Sequence, residues 1–281
     1  MSEESVIIIS AGLAGLSAGC YAQMNGYQSH IFEHHSQPGG VAAACKRRDY
    51  LIDGGIHFVM GYEPGSALHE VYRQLGVLET NRFADLSTYG RFVDEPSGRS
   101  VEITGDLYRL ADDLEALSPG NRPLVDELIA GARAMQGFDM SKAGLSKPPG
   151  LTSPLDQIRD LWAMRPLLKY FAGKYVGPVA DYVRHIQDPG LRALIESLFL
   201  PEAPVYFVLM LLGIVADGQL GLIEGGCHDF VRGIARHGWA LGGKMTYEAT
   251  VEKTLVESHP THIQGAMRCS SSAAGTRIHL R

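Results

Sequence analysis

The chain has 281 residues, of which 45% are hydrophobic and 20% charged, and its formal net charge is −6. This length is sufficient for one large α/β domain or two smaller ones with a buried core. The acidic balance gives no indication of nucleic-acid binding, which would favour a basic face.

A β-α-β unit is predicted at the N-terminus. Val6 to Ile9 form a short apolar run that is typical of a buried parallel strand. Residues 13–25 are rich in Ala and Leu and are followed by Gly26, which favours a helix end. Gln28 to Phe32 then form a second strand, and the crossover is expected to be right-handed.

The turn inside this unit has the pattern of a dinucleotide-binding turn, with Ser10 in place of its first glycine. Gly12 would let the backbone approach a pyrophosphate at the helix N-terminus, and Gly15 would let the helix pack closely on the strand. Glu33 stands where an acid accepts hydrogen bonds from ribose and repels a 2′-phosphate, which disfavours NADP. The alternative is an ordinary small-residue turn without a ligand.

The middle of the chain is predicted to be mainly helical. Before it come a short strand at Tyr50 to Ile52, a helix over 64–75 and a hairpin of strands over 84–93 and 99–103. From Gly105 onward, helical segments are separated by Pro and Gly. The predicted helices are 107–117, 123–135, 154–163, 166–172, 179–186, 189–198 and 205–215.

The C-terminal part returns to mixed structure. A helix is predicted over 227–239, followed by strand-like segments at 245–249 and 251–256 that would rejoin the first sheet. Residues 258–281 lack acidic residues and apolar periodicity, and we expect a poorly packed tail.

No segment is predicted to span a membrane. The run 205–216 is apolar, but a spanning helix needs about 20 residues. We interpret it as a buried helix whose residues 209–212 either pack in the core or line an apolar tunnel, with contact to a membrane as the alternative. The four cysteines have no C-x-x-C spacing, which favours reduced thiols, no metal site and a cytoplasmic location, with peripheral membrane contact as a further option.

Several motifs together resemble those of a known enzyme family. The segment Glu33 to Gly40 resembles the extension that follows the first β-α-β unit in the FAD-dependent amine oxidase and phytoene desaturase superfamily. Tyr50 to His57 resembles its G-Y-x-F-D-x-G segment, with Asp49 in place of the usual glycine. The run from Gly61 brings the chain nearest to phytoene desaturase-like, carotenoid isomerase-like and retinol saturase-like oxidoreductases, and residues 224–256 resemble their P-x-G-G…G-G-x-I…V-x-x-I segment.

This resemblance implies a Rossmann-like FAD-binding β-α-β domain with a mainly helical substrate (cap) region. The implied boundaries are 1–80 and 217–257 for the FAD-binding domain, 81–216 for the hairpin and substrate region, and 258–281 for the atypical tail. The implied substrate is a small apolar polyene or isoprenoid, which would be desaturated, saturated or isomerised. The implied cofactor-binding residues are Ser10, Gly12, Leu13, Ala14, Gly15, Glu33, His34, Gly39, Gly40, Val41, Asp53, Gly54 and Val251.

Two questions stay open at the level of sequence. Members of this family continue past the V-x-x-I strand to a late G-D segment that contacts the flavin, and this chain has none, so a C-terminal truncation is expected unless the chain is a divergent short form. The alternatives to an FAD oxidoreductase are a truncated non-catalytic nucleotide-binding fragment and an NAD-linked dehydrogenase. His57, after the Asp-Gly-Gly turn, is a weak candidate for a catalytic residue.

Overall fold

The computed structural model describes residues 4–55, 58–138, 153–155, 158, 162, 164–258, 263–271 and 277–278. It divides into two compact units. Unit 1 contains Met1–Val59, Glu70–Ala84 and Leu222–Arg281, and unit 2 contains Met60–His69 and Asp85–Gly221.

Strands and helices alternate at the two ends of the chain, and helices dominate between them. The strands are β1 Ser5–Ile9, β2 Gln28–Phe32, β3 Ala44–Arg47, β4 Tyr50–Asp53, β5 Val59–Met60, β6 Phe83–Asp85, β7 Thr88–Asp94, β8 Arg99–Thr104, β9 Leu220–Ile223, β10 Lys244–Thr246, β11 Ala249–Ser258, β12 Ile263–Ser271 and β13 Arg277–Ile278. The α-helices are α1 Leu13–Met24, α2 Ala67–Gln74, α3 Val77–Thr80, α4 Leu107–Leu117, α5 Arg122–Met135, α6 Val179–Val183, α7 Pro189–Leu198, α8 Val205–Ala216 and α9 Gly226–Ala240. Short 3-10 helices span Pro119–Asn121, Arg165–Phe171 and Gly173–Val176.

Unit 1 is built around a three-stranded parallel sheet in the order β1-β2-β10. Its central strand ends in the fully buried Phe32, and α1 packs on the sheet through Gly19, where a β-carbon would stand 2.8 Å from Ile31. Helix α9 packs beside α1, with the Cys20 thiol 3.7 Å from the Ile234 carbonyl oxygen. Burial raises the pKa of that thiol to about 11. The predicted β-α-β unit and Rossmann-like fold class are confirmed.

Unit 2 is mainly helical, with the antiparallel hairpin β7–β8 at its start. Helices α5 and α8 approach closely because small residues face large ones. A β-carbon on Gly131 would lie 2.7 Å from a Leu209 methyl, and one on Gly213 would lie 2.8 Å from Met135 Cβ. Asp106 begins α4 by accepting hydrogen bonds from two backbone amides of its first turn.

Two segments differ in detail from the sequence prediction. The helix predicted from residue 64 begins at Ala67, because Gly65 has a φ of +100° and the Ser66 hydroxyl accepts from the His69 amide at 3.0 Å as a cap. Of the two strands predicted to rejoin the first sheet, β10 does so, whereas β11 pairs antiparallel with β12. The backbone of 263–271, predicted as a poorly packed tail, is thus in a strand; its side chains lie outside the described ones.

Candidate functional site

The β1–α1 turn depends on a serine in an unusual conformation. Ser10 has a φ of +84°, in the left-handed region that side chains with a β-carbon adopt at a cost of about 1–2 kcal/mol. Its amide donates to the Phe32 carbonyl at 2.8 Å, and its hydroxyl oxygen accepts from the Gly12 amide at 3.3 Å. The chain therefore makes at Ser10 the sharp turn for which this fold normally uses glycine.

Glu33 is held at the end of β2 by two backbone amides. The side chain is buried, its Oε2 accepts from the Ala11 amide at 2.6 Å and its Oε1 accepts from the His35 amide at 2.9 Å. Burial by itself would raise the pKa of this carboxyl, but the hydrogen bonds from His35 and Ala11 outweigh it and lower the pKa. The Ser10 hydroxyl also donates to Oε2, at 3.5 Å. Glu33 is thus a fixed, charged acceptor, and a carboxylate with three bonds still has a lone pair for a further donor.

The Gly-Gly segment closes against the same turn. The Gly39 amide donates to the Ala11 carbonyl at 2.9 Å, and Gly39 bridges to Gly12. A β-carbon on Gly40 would stand 3.2 Å from Gly12 Cα, so the two backbones meet almost directly. At Gly15 a β-carbon would stand 2.0 Å from the Ser10 carbonyl oxygen, which no side chain can tolerate. The structure therefore brings together the glycines that the sequence singled out.

Beside this turn lies a pocket of about 340 Å³, which we call the Glu33 pocket. His34 lines this pocket, and its Nδ1 lies 2.7 Å from the Thr250 hydroxyl oxygen. Val251 packs against Phe32 and Ala249. Sequence reasoning identified Ser10, Glu33, His34, Gly40 and Val251 but missed the other lining residues, which no local motif marks. The full lining is Ile9, Ser10, Phe32, Glu33, His34, His35, Gly40, Ala249, Thr250 and Val251.

The remaining predicted residues lie elsewhere in unit 1. Leu13 and Ala14 form the first turn of α1, while the Val41 side chain is 87% exposed and outside the pocket. Asp53 accepts from the Cys227 amide at 2.9 Å and so holds the start of α9. The Gly54 amide donates to the carbonyl oxygen of Ala43, just before β3, at 2.8 Å. The roles of these residues toward a flavin stay predictions.

The candidate catalytic residue, His57, lies outside the described residues. Within the described part of the chain, no group of three or more His, Cys, Asp or Glu side chains is arranged to hold a metal ion. The same part contains no helix that is both long and apolar enough to cross a bilayer.

Unit 2 contains a larger cavity of about 380 Å³, which we call the unit 2 cavity. Of the four α8 residues considered for a tunnel, only Met210 lines it, whereas Leu209, Leu211 and Leu212 are buried in the helical core. One end is polar, with Asp217 and with Gln219, whose buried side-chain oxygen lacks a hydrogen-bond partner among the described residues. The lining is Met60, Gly61, Pro64, Gly65, Ser66, Leu68, Gly137, Phe138, Met210, Ile214, Asp217 and Gln219.

Comparison with known proteins indicates which family and which fold this chain resembles. A family model described as an NAD(P)-binding Rossmann-like domain matches residues 8–75. A carotenoid 3,4-desaturase of Haloarcula japonica is 25% identical over 261 residues, which are 90% of this chain and 50% of that protein. A zeta-carotene-forming phytoene desaturase of Myxococcus xanthus is 24% identical over 270 residues, 91% of this chain and 49% of that protein.

The chain therefore spans about half the length of the curated relatives it matches. Among solved structures, an oxidoreductase from Methanosarcina mazei matches with a TM-score of 0.54 at 17% identity, covering 95% of this chain and 57% of that one. That match shows the fold. Together, these similarities confirm the resemblance to phytoene desaturase-like proteins.

Proposed function

We propose that this chain binds FAD and serves an FAD-dependent oxidoreductase that acts on a carotenoid-like polyene. The observation that carries the proposal is the closure of the Gly39-Gly40 segment on the β1–α1 turn, beside the charged Glu33. Similarity to two carotenoid desaturases over nine-tenths of the chain supports the substrate class.

The residues of unit 1 fit the adenosine and pyrophosphate parts of FAD. Gly12, Leu13, Ala14 and Gly15 present the N-terminus of α1, whose backbone amides and positive helix end would favour a pyrophosphate. The Glu33 carboxylate, already fixed by two amides, would accept the ribose hydroxyls. Its charge disfavours a 2′-phosphate, so NADP is the weaker ligand.

The rest of the Glu33 pocket suits an adenine. Phe32, Val251 and Ala249 give it an apolar wall, and the backbone of the β11 strand offers hydrogen-bonding groups beside Val251. When bound, FAD supplies the hydride-accepting chemistry that no side chain of this protein can supply. The chain itself contributes binding, orientation and exclusion of water.

The unit 2 cavity is the proposed site for part of the polyene. Its lining is mostly apolar. The ring of Phe138 lies 5.9 Å from that of Phe171, and the ring of Phe171 lies 5.1 Å from that of Tyr206, measured between ring centroids. Aromatic rings suit a conjugated hydrocarbon because both surfaces are flat, apolar and polarisable. Dehydrogenation of such a substrate depends mainly on positioning, which a mostly apolar cavity can provide.

Peripheral contact of a cytoplasmic protein with a membrane is part of the proposal. Leu155, Ile158 and Trp162 have helical backbone, follow i, i+3, i+7 spacing and are 58–78% exposed. Arg165 lies over the Trp162 ring at 5.7 Å. Exposed apolar side chains at helical spacing, with a tryptophan and an arginine beside them, favour a lipid surface. Ile158→Glu is expected to reduce flotation of the protein with phosphatidylglycerol vesicles. Unchanged flotation would refute the proposed membrane contact.

The test of cofactor binding is a visible spectrum of the purified chain before and after addition of FAD. We expect the absorbance of a bound flavin near one equivalent, and weaker binding of NAD in competition. A colourless protein that takes up no FAD would refute the proposal. A chain that takes up FAD but converts no carotene, with a quinone as acceptor, would instead favour a non-catalytic nucleotide-binding fragment.

A further inference from the structure

Unit 1 has a second concave surface, of about 290 Å³, which we call the α9 groove. It is formed by the loop Ser36–Pro38 after β2, by one face of α9 and by Tyr247. It shares no lining residue with the Glu33 pocket. The lining is Ser36, Gln37, Pro38, His228, Arg232, Ala235, Arg236, Trp239 and Tyr247.

The α9 groove concentrates positive charge in a chain of net charge −6. Arg232 and Arg236 lie one helical turn apart, so their side chains are neighbours and repel each other. In the described part of the chain neither guanidinium pairs with a carboxylate; the contacts found are to a histidine ring and to a backbone carbonyl. Exposed Arg73 and Arg122, by contrast, each bind a glutamate.

Both guanidinium groups are nevertheless oriented. The His228 ring places Nδ1 3.0 Å from an Asp229 oxygen and Nε2 3.4 Å from Arg232 Nη1. Because the carboxylate only accepts, we assign the ring hydrogen to Nδ1, which leaves Nε2 to accept from Arg232. Arg236 Nε donates to the Arg232 carbonyl at 3.3 Å. Each contact uses one of the five N–H donors of a guanidinium.

The other polar groups of the α9 groove are also donors. Ser36 carries a hydroxyl, Gln37 an amide, and Trp239, which is 46% exposed, an indole N–H. Burial and the charge of Glu33 raise the pKa of Tyr247 despite the opposing effect of Arg232, so its hydroxyl keeps its proton at neutral pH. Among the lining residues that the structure describes, none is acidic. The groove therefore offers many donors and no anionic acceptor.

We propose that the α9 groove binds a phosphate ester. A phosphate group has more acceptor oxygens than a carboxylate and matches the fork of arginine, so it can satisfy two guanidinium groups together. Trp239 and Ala235 supply apolar surface for the group esterified to the phosphate. Phospholipid headgroups and soluble phosphate esters share this chemistry. The proposal does not depend on FAD binding.

The experiment uses the full chain with Trp162→Phe, which leaves Trp239 as the sole tryptophan. We expect glycerol 1-phosphate to change its fluorescence saturably, whereas sodium chloride at equal ionic strength does not. Arg232→Gln/Arg236→Gln should weaken binding at least about tenfold, as expected for losing charge-assisted bonds. Arg73→Gln, which changes an exposed arginine of the same unit, is the matched control and should bind normally.

Vesicle sedimentation then distinguishes the two sources. Phosphatidic acid added to phosphatidylcholine vesicles should increase retention of the control but not of the double variant if the ligand is a lipid headgroup. Binding of glycerol 1-phosphate without this increase identifies a soluble ester. The proposal is overturned if the double variant and the control, both folded by circular dichroism, behave alike in both assays.

Discussion

The Glu33 pocket of unit 1 and the cavity of unit 2 are formed by different means. In unit 1 the Glu33 pocket depends on backbone conformation, at the left-handed Ser10 and at Gly40, where a β-carbon would stand 3.2 Å from Gly12 Cα. In unit 2 the cavity depends on side chains from separate segments, such as Leu68, Phe138 and Met210. The first kind of site should fail abruptly on substitution, and the second should change by degrees.

The strongest test of this contrast is Gly15→Ala. In an ordinary helix this change stabilises by up to about 1 kcal/mol, but here the new β-carbon would stand 2.0 Å from the Ser10 carbonyl oxygen. We expect the free energy of unfolding in urea to fall by about 3 kcal/mol and FAD binding to be lost. Gly120→Ala, with no atom within 4 Å of the new carbon, is the control and should be nearly neutral.

The next largest effect is expected for Glu33→Gln. The amide cannot accept from both Ala11 and His35 as the carboxylate does, so unfolding should become easier by about 1.5–3 kcal/mol at pH 7. Because folding lowers the pKa of Glu33, its ionisation stabilises the protein above the ordinary value of 4.5, and that contribution is lost as pH falls through the folded-state pKa. Urea unfolding at several pH values should show the two proteins converging in acid; a constant difference would contradict this account.

A graded effect is expected in unit 2. Ile214→Trp would fill part of the unit 2 cavity. We expect the affinity for carotene to fall about tenfold, a loss of about 1.4 kcal/mol. The shift of the visible absorbance of carotene measures this binding. FAD affinity should stay unchanged. Val176→Trp, at a half-exposed position outside the lining, is the control. Equal carotene affinity in the two variants would show that the polyene binds elsewhere.

The smallest effect concerns Ser10. Its left-handed strain is present in the free protein, so relieving it changes stability more than affinity. Its hydroxyl oxygen, however, accepts the hydrogen bond of the Gly12 amide, which a pyrophosphate oxygen would otherwise accept. Ser10→Ala and Ser10→Gly should both tighten FAD binding about fivefold, near 1 kcal/mol, whereas only glycine relieves the strain. Tightening by glycine alone, measured by fluorescence titration, would instead indicate crowding by the β-carbon.

The sequence predicts features that depend on residues close together in the chain, and it does not predict features that depend on the packing of distant segments. The β-α-β unit and the helices between Pro and Gly residues follow from local spacing. The sequence therefore predicts β2 at Gln28–Phe32 and α7 at Pro189–Leu198 with the bounds that the structure has. The Glu33 pocket was predicted only where motifs mark it. Thr250 and Phe32 enter it through strand pairing and packing, which no short pattern encodes.

The unit 2 cavity and the α9 groove were beyond sequence reasoning for the same reason. Phe138 and Gln219 carry no motif, and they line one cavity because α5 and α8 pack closely through Gly131 and Gly213. Arg232 and Arg236 look like a solvated helix face until the loop after β2 and Tyr247 are placed beside them.

The hydrogen bond from the Gly12 amide to the Ser10 hydroxyl also has a kinetic consequence. The serine oxygen satisfies this amide at 3.3 Å, so the turn is held in place by the protein itself. An incoming phosphate oxygen would therefore exchange with an oxygen of the protein instead of ordering a loose loop. Association should then proceed as a single fast phase whose rate is proportional to ligand concentration. The serine would increase the dissociation rate of the ligand. Its hydroxyl oxygen can accept the Gly12 amide again each time the ligand partly dissociates.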